Sequence, residues 1–301
     1  MMWIQRNRKK SIVTGTIMLF VVSFIAICIL FLFSEKLKSA DRMRVELIER
    51  TIGASGEIEQ IGQRVALANF YDRKINTLSY NDLTPYLYGI ESGTLFFISH
   101  GRIVSNFIPG IWTHTGFYLG TRKQLKDKFG GSSIIYKLAQ SFYRTGEEHL
   151  IIDSSLRRGC AVRDIIELAS LESKSSLRSI LFFEPKISPA QLQYVLQNSL
   201  AEIGKKYDLF FSLDDKSKIY CTELIYDAFQ TLGIIINRRT PIFFRNILLP
   251  KDMVDEIIEE HMNEFNLKLW LVKYDNKVEV LNCTETLTLF TEILVKQGCS
   301  R

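Results

Sequence analysis

Two residues in this chain are suited to covalent chemistry by type and setting: a cysteine that opens an apolar helix and a histidine inside an apolar strand. Cys221 stands in the run Lys218-Ile-Tyr-Cys-Thr-Glu-Leu-Ile-Tyr-Asp-Ala-Phe229, where a polar loop gives way to helical spacing. A thiol at a helix N-terminus meets the positive end of the helix dipole and unpaired backbone N–H groups, which favour the nucleophilic thiolate. His114 lies in the middle of Ile111-Trp-Thr-His-Thr-Gly-Phe-Tyr-Leu119. Gly116 beside it leaves room for another group to come close. Together the two segments suggest a cysteine hydrolase whose base precedes its nucleophile in the chain.

Such a site needs a third group, a carboxylate or amide that holds the ring nitrogen facing away from the thiol. Asp153, at the end of Leu150-Ile-Ile-Asp153, is placed for that role or for capping the Ser154-Ser155 turn. The chain has four histidines. His149 starts a strand and competes with His114, whereas His100 and His261 read as surface residues. Glu223 reads as a structural first-turn acid, a common partner of a helix dipole. The backbone N–H of Cys221 is the natural oxyanion donor, with Tyr220 or Tyr207 as side-chain helpers.

These residues need elements to carry them. A turn and short strand run from Glu91 to His100, followed by strand candidates at 112–119, 149–153 and 179–184. Residues 121–148 read as a loop with helical content. Ser188-Pro189-Ala-Gln191 has the serine cap, first-turn proline and glutamine of a helix start, and that helix ends near Gly204. Leu224, Ile225, Ala228, Phe229 and Leu232 give the Cys221 helix one apolar face. A further helix starts at Leu248–Asp252, and residues 268–280 read as a hairpin around Asp275-Asn276.

The 301 residues are 47% hydrophobic and 24% charged, as in a globular protein with a substantial core. The net charge of +5 is spread without a basic stripe, so nucleic acid is not implied as a partner. Cys28, Cys160, Cys221, Cys283 and Cys299 share no CxxC spacing, so no metal site is expected. Residues 11–33 are uncharged and apolar, long enough to span a bilayer of ~30 Å hydrocarbon thickness. Arg6, Arg8, Lys9 and Lys10 precede that run and favour a cytoplasmic N-terminus. The expected organisation is therefore a basic tail at 1–10, a single-pass anchor at 11–33 and a partly helical connector at 34–90. A catalytic domain at 91–265, outside the cytoplasm, and an extension at 266–301 follow.

Four blocks in this order resemble the circularly permuted papain-like family of the NlpC-type superfamily, the YiiX-like amidases. They are Ser92-Gly-Thr-Leu-Phe-Phe-Ile98, Trp112–Leu119, Leu150–Ser155 with Gly159–Ile165, and Ile203–Phe211 leading into Ile219–Tyr226. The resemblance implies an α+β domain with an antiparallel sheet packed against helices, and permutation explains a histidine that precedes the cysteine. It also implies Cys221 as nucleophile, His114 as base, Asp153 as third polar residue and no cofactor. The family commonly has glutamate where Asp153 stands and serine where Thr222 stands. The expected substrate carries an amide, as a cell-wall peptide or an acylated amine. A lipid-directed acyltransferase and a non-catalytic binding module are the alternatives.

Overall fold

The structure is a computed structural model that describes residues 76–100, 110–169, 177–242, 245–274 and 276–281. In chain order the strands are β1 (Thr94–His100), β2 (His114–Gly120), β3 (Leu150–Ser155), β4 (Gly159–Asp164) and β5 (Leu177–Pro185). The short β6 (Lys206–Tyr207), β7 (Lys218–Ile219), β8 (Thr240–Ile242) and β9 (Arg245–Ile247) follow, then β10 (Phe265–Tyr274) and β11 (Lys277–Leu281). The helices are α1 (Tyr80–Leu87), α2 (Arg122–Phe129), α3 (Ile134–Ala139), α4 (Ile166–Ala169), α5 (Pro189–Ala201), α6 (Cys221–Gln230) and α7 (Pro250–Glu260).

Seven strands form one sheet in the order β11-β10-β5-β1-β2-β3-β4, with antiparallel neighbours throughout. The expected antiparallel sheet packed against helices is present. β1 lies at its centre and is buried along its whole length, because both faces are covered. Leu95 and Phe97 join a core with residues of α2, α3, α5, α6 and α7. Phe96 and Ile98 point the other way, into a smaller core closed by α1 and α4. A strand sealed on two sides reads as a continuous apolar run, not as an alternation.

The segment expected as a C-terminal extension supplies two strands to this sheet. β10 pairs with β5 from Phe265↔Pro185 to Val272↔Ser179 and turns into β11 at Asn276, whose φ is +65°. The expected hairpin is therefore built into the main sheet, and no boundary at residue 265 divides it. The α1 end of the expected connector likewise packs Leu83 and Leu87 beneath Phe96. The basic tail, the expected anchor at 11–33 and the connector up to residue 75 lie outside the described residues. Among the described residues no helix is long and apolar enough to cross a membrane.

Local chemistry explains how the chain reaches Cys221. At α5, the Ser188 hydroxyl takes the Gln191 N–H at 3.2 Å, and the Gln191 side chain returns to the Ser188 N–H at 3.0 Å. This is the capping box that the sequence indicates. After Gly204, the chain docks on the start of β4: Gly204 N–H donates to Cys160 O and Cys160 N–H to Lys205 O, both at 2.9 Å. A Cβ on Gly159 would lie 2.1 Å from Lys205 O, so only glycine allows this approach. Tyr207 then pairs in parallel with Ile219, and the Ser154 hydroxyl holds Ile219 O at 2.6 Å. Two residues later α6 begins.

Candidate active site

α6 sets Cys221 at its first residue and buries Leu224, Ile225, Ala228 and Phe229 against the sheet. Each large side chain buried in this way contributes about 1.5–3 kcal/mol, which fixes the helix axis and therefore the thiol. Phe229 stacks on Phe117 of β2 with ring centroids 6.0 Å apart. The Thr222 hydroxyl donates to Leu248 O at 2.7 Å and ties the first turn to the start of α7. First-turn backbone N–H groups have no partner within the helix, so the Cys221 N–H is available to an oxyanion.

His114 begins β2, opposite Ile98 of β1. Gly116, two residues on, sits between Phe96 and Asp153 in the paired strands. A Cβ there would lie 2.4 Å from Ile152 O and 2.8 Å from the Phe96 ring. The room expected beside His114 is thus filled by the β3 backbone and by Phe96, whose ring lies 6.2 Å from the imidazole. This close approach puts the Asp153 carboxylate within 2.6 Å of His114 Nε2. Asp153 is fully buried and His114 is 9% exposed. The aspartate holds the ring and does not cap the turn after it.

Arg163, which sequence reasoning missed, grips the same carboxylate. Its Nε donates to Asp153 Oδ1 at 2.9 Å and to Oδ2 at 3.1 Å, and its Nη2 also donates to Oδ2. The register places Ala161 opposite Asp153, so Arg163 is the diagonal neighbour on the same face. The signal that could have found it is alternation in a hairpin whose partner strand ends in an acid.

The charges are mutually dependent. Burial alone would raise the Asp153 carboxyl, but the charge of Arg163 and then the hydrogen bond and charge of His114 hold it down to about 2. Burial opposes a charged His114 ring as well. The hydrogen bond and charge of Asp153, followed by those of Cys221, outweigh it and raise the imidazole to about 9. With Nε2 taken by Asp153, Nδ1 is the ring nitrogen left for the Cys221 thiol. The structure thus brings Cys221, His114 and Asp153 together in the order thiol, imidazole, carboxylate.

Both tyrosines expected near an oxyanion feel the charge of Cys221, and Tyr207 feels it more strongly. Burial, then the charge of Cys221 and the proximity of Tyr220, raise the Tyr207 phenol well above its usual value. Tyr220 is buried as the N-cap residue, and its ring packs edge-on against Phe211. The carboxylate of Glu223 accepts from Lys216 Nζ at 3.1 Å and from the Tyr220 N–H at 3.4 Å, the structural part foreseen for it.

The remaining histidines divide differently from the sequence expectation. His100 is not a surface residue: it is 9% exposed at the end of β1, on the side of the sheet that carries His114. Its Nδ1 lies 3.0 Å from the Thr113 hydroxyl, which itself donates to Ile98 O. Burial, then the positive charges of His114 and Arg163, lower the ring to about 3, so it stays neutral. His261 is half-buried near Glu256 and Glu264. His149, the competitor, lies elsewhere, with Nδ1 at 2.5 Å from the Tyr118 hydroxyl, and burial lowers it to about 4. Among the described residues no three His, Cys, Asp or Glu side chains converge as metal ligands. The apolar segments 107–109 and 243–244, which would bear on a lipid substrate, lie outside the described residues.

Comparison with known proteins adds to this geometry. A family model described as "Permuted papain-like amidase enzyme, YaeF/YiiX, C92 family" matches residues 90–286. Among solved structures, the chain is similar to one described as metalloprotein yiiX from Escherichia coli O157:H7, DUF1105. That similarity has 14% identity and a TM-score of 0.35, and covers 64% of this chain and 96% of the other. No curated protein matches the chain.

Proposed function

Because this chain belongs to the permuted papain-like amidase family, a family of cysteine amidases and peptidases, we propose that it hydrolyses an amide through an acyl-cysteine intermediate at Cys221, His114 and Asp153. The Cys221 sulfur attacks the amide carbonyl carbon and forms a C–S bond. The Cys221 N–H and the Tyr207 hydroxyl stabilise the tetrahedral oxyanion. The C–N bond then breaks, and the leaving nitrogen takes the proton carried by His114. Water, deprotonated by His114, adds to the thioester; the C–S bond breaks, the carboxylic acid leaves, and the thiol is restored. Asp153 keeps the ring oriented through these transfers and stabilises it whenever it carries the proton.

The observation that carries this reading is the 2.6 Å bond between His114 Nε2 and a buried, Arg163-clamped Asp153, on a ring that also meets the Cys221 thiol. A His–Asp pair without a nucleophile would need no such third contact. The substrate class is an amide-bearing molecule, and we assign it to cell-wall peptides or acylated amines. Residues 11–33 would tether the enzyme to a bilayer with its domain outside the cytoplasm.

Labelling with iodoacetamide near neutral pH, followed by peptide mass mapping, tests the site. Cys221 should react much faster than a free thiol, and His114→Ala should remove that advantage. Equal rates for Cys221, the His114→Ala variant and free cysteine would defeat the proposal.

A further inference from the structure

The loop between β6 and β7 contains a non-glycine residue in the left-handed region: Phe211 has φ +51°. An L-residue with a bulky side chain resists that conformation, and it persists only where its surroundings over-determine it. Here they do so on both flanks. The buried Asp208 carboxylate takes the Phe210 N–H at 2.9 Å and the Ser212 N–H at 2.5 Å. Arg245 donates to Phe210 O at 3.1 Å and lies over the Phe210 ring at 6.0 Å. The turn is clamped before and after the strained residue.

The strain serves to aim a ring. Phe211 packs edge-on against Tyr220 at 5.2 Å and against Tyr207 at 6.1 Å. Tyr220 immediately precedes the nucleophile, and Tyr207 pairs with Ile219, two residues before it. Phe211 is only half-buried, and Phe210 beside it is 53% exposed. A partly exposed aromatic surface therefore lies against Tyr220, the residue that precedes the nucleophile. In a β6–β7 connection needing only to turn, glycine or asparagine would hold this conformation without strain.

We propose that Phe211 is a specificity-determining residue: its ring walls the subsite for the acyl half of the substrate and selects apolar, above all aromatic, acyl groups. The proposal rests on the amide-hydrolase reading for the identity of the ligand as an acyl group. During acylation the sulfur bonds the acyl carbon, so the substituent on that carbon is held nearest the residues that adjoin Cys221. Tyr207 and Tyr220 support the wall, and Phe210 extends it outward.

Active-site alkylation tests this without requiring turnover. Chloroacetone and 1-chloro-3-phenylpropan-2-one share one electrophile, from which the thiolate displaces chloride to form a thioether; they differ in an acetyl or phenylacetyl part. Each rate at Cys221, read by mass spectrometry, is divided by the rate with free N-acetylcysteine. Wild type should prefer the phenylacetyl reagent at least about tenfold, the discrimination an apolar pocket gives. Phe211→Gly, which adopts φ +51° without strain, should lose the preference, its normalised phenylacetyl rate falling to its normalised chloroacetone rate. Phe211→Asn, which also tolerates the conformation, should behave likewise, and thermal melts verify that both fold. An absent preference in wild type, or a preference that survives in either folded variant, overturns the proposal. Selective labelling by an enzyme that cleaves no acyl anilide would overturn the amide-hydrolase reading and leave the subsite standing.

Discussion

Asp153 and Arg163 are joined at both carboxylate oxygens inside the protein, on the side of Asp153 away from His114's neighbours in β1. The acid that holds the catalytic-type ring is thus itself held, and it stays ionised where burial alone would favour its neutral form. Asp153→Asn keeps the shape but leaves the Arg163 guanidinium with Glu167, 4.0 Å away, as its charged partner. Breaking one partner out of a buried pair costs about 3–5 kcal/mol, and loss of proton-handling costs about 10²–10⁴-fold in rate. The variant should therefore melt lower and lose at least about 100-fold in kcat/KM. Steady-state kinetics on an acyl anilide that stay within threefold of wild type would remove Asp153 from the mechanism.

The His114 ring, raised to about 9, supplies the second test. In the proposed mechanism the leaving amine takes its proton, so kcat/KM should fall on the alkaline side with a midpoint near 9. Stability follows the same group. Its folded value lies above its unfolded value of about 6.5, so its contribution is complete below that pH and is lost as pH rises through about 9. The gap in melting temperature between wild type and His114→Gln should therefore narrow from pH 6 to pH 10. A constant gap across that range would contradict the coupling.

Gly116 carries a purely geometric prediction. A methyl group there meets the Ile152 carbonyl at 2.4 Å and the Phe96 ring at 2.8 Å, so β2 and β3 must part. Overpacking of this kind costs about 1–3 kcal/mol. Gly116→Ala should lower the melting temperature and, by lengthening the His114–Asp153 bond, depress kcat more than KM. A variant with wild-type kcat and a lowered melting temperature would show that the site tolerates the displacement.

Glu223 gives a pH effect of a different origin. Burial raises its carboxyl to about 7, against the opposing hydrogen bond and charge of Lys216. An acid raised on folding favours the native state while protonated, so its contribution is present below about 4.5 and is lost as pH climbs through about 7. Glu223→Gln cannot ionise. Its melting temperature should change less than that of wild type between pH 5 and pH 8, and thermal melts across that interval decide the matter.

The sequence exposes features governed by neighbours in the chain. Cys221 is legible because the polar-to-apolar change at Tyr220 marks a helix start, and Ser188-Pro189-Ala-Gln191 marks another. His114 is legible from its strand and from family resemblance. What is hidden depends on register. Arg163 meets Asp153 only because Ala161 lies opposite it. His100 is buried only because β1 has β5 on one side and β2 on the other. The terminal hairpin belongs to the sheet through Val272↔Ser179, a pairing that no local pattern announces. Phe211 is hidden for another reason, since its left-handed backbone is imposed by Asp208 and Arg245, not by its own preference.

The order of the site along the chain also governs when it can act during synthesis. His114 and Asp153 are 39 residues apart and sit on adjacent strands, so this half of the site can form early from a short stretch of nascent chain. The Cys221 thiol leaves the ribosome later, and β10, which completes the sheet beside β5, later still. An N-terminal translation product that stops before residue 221 holds a proton relay with nothing to activate. On the proposed mechanism the nascent chain is thereby born inert, and hydrolytic competence arrives only with its final third, which carries Cys221.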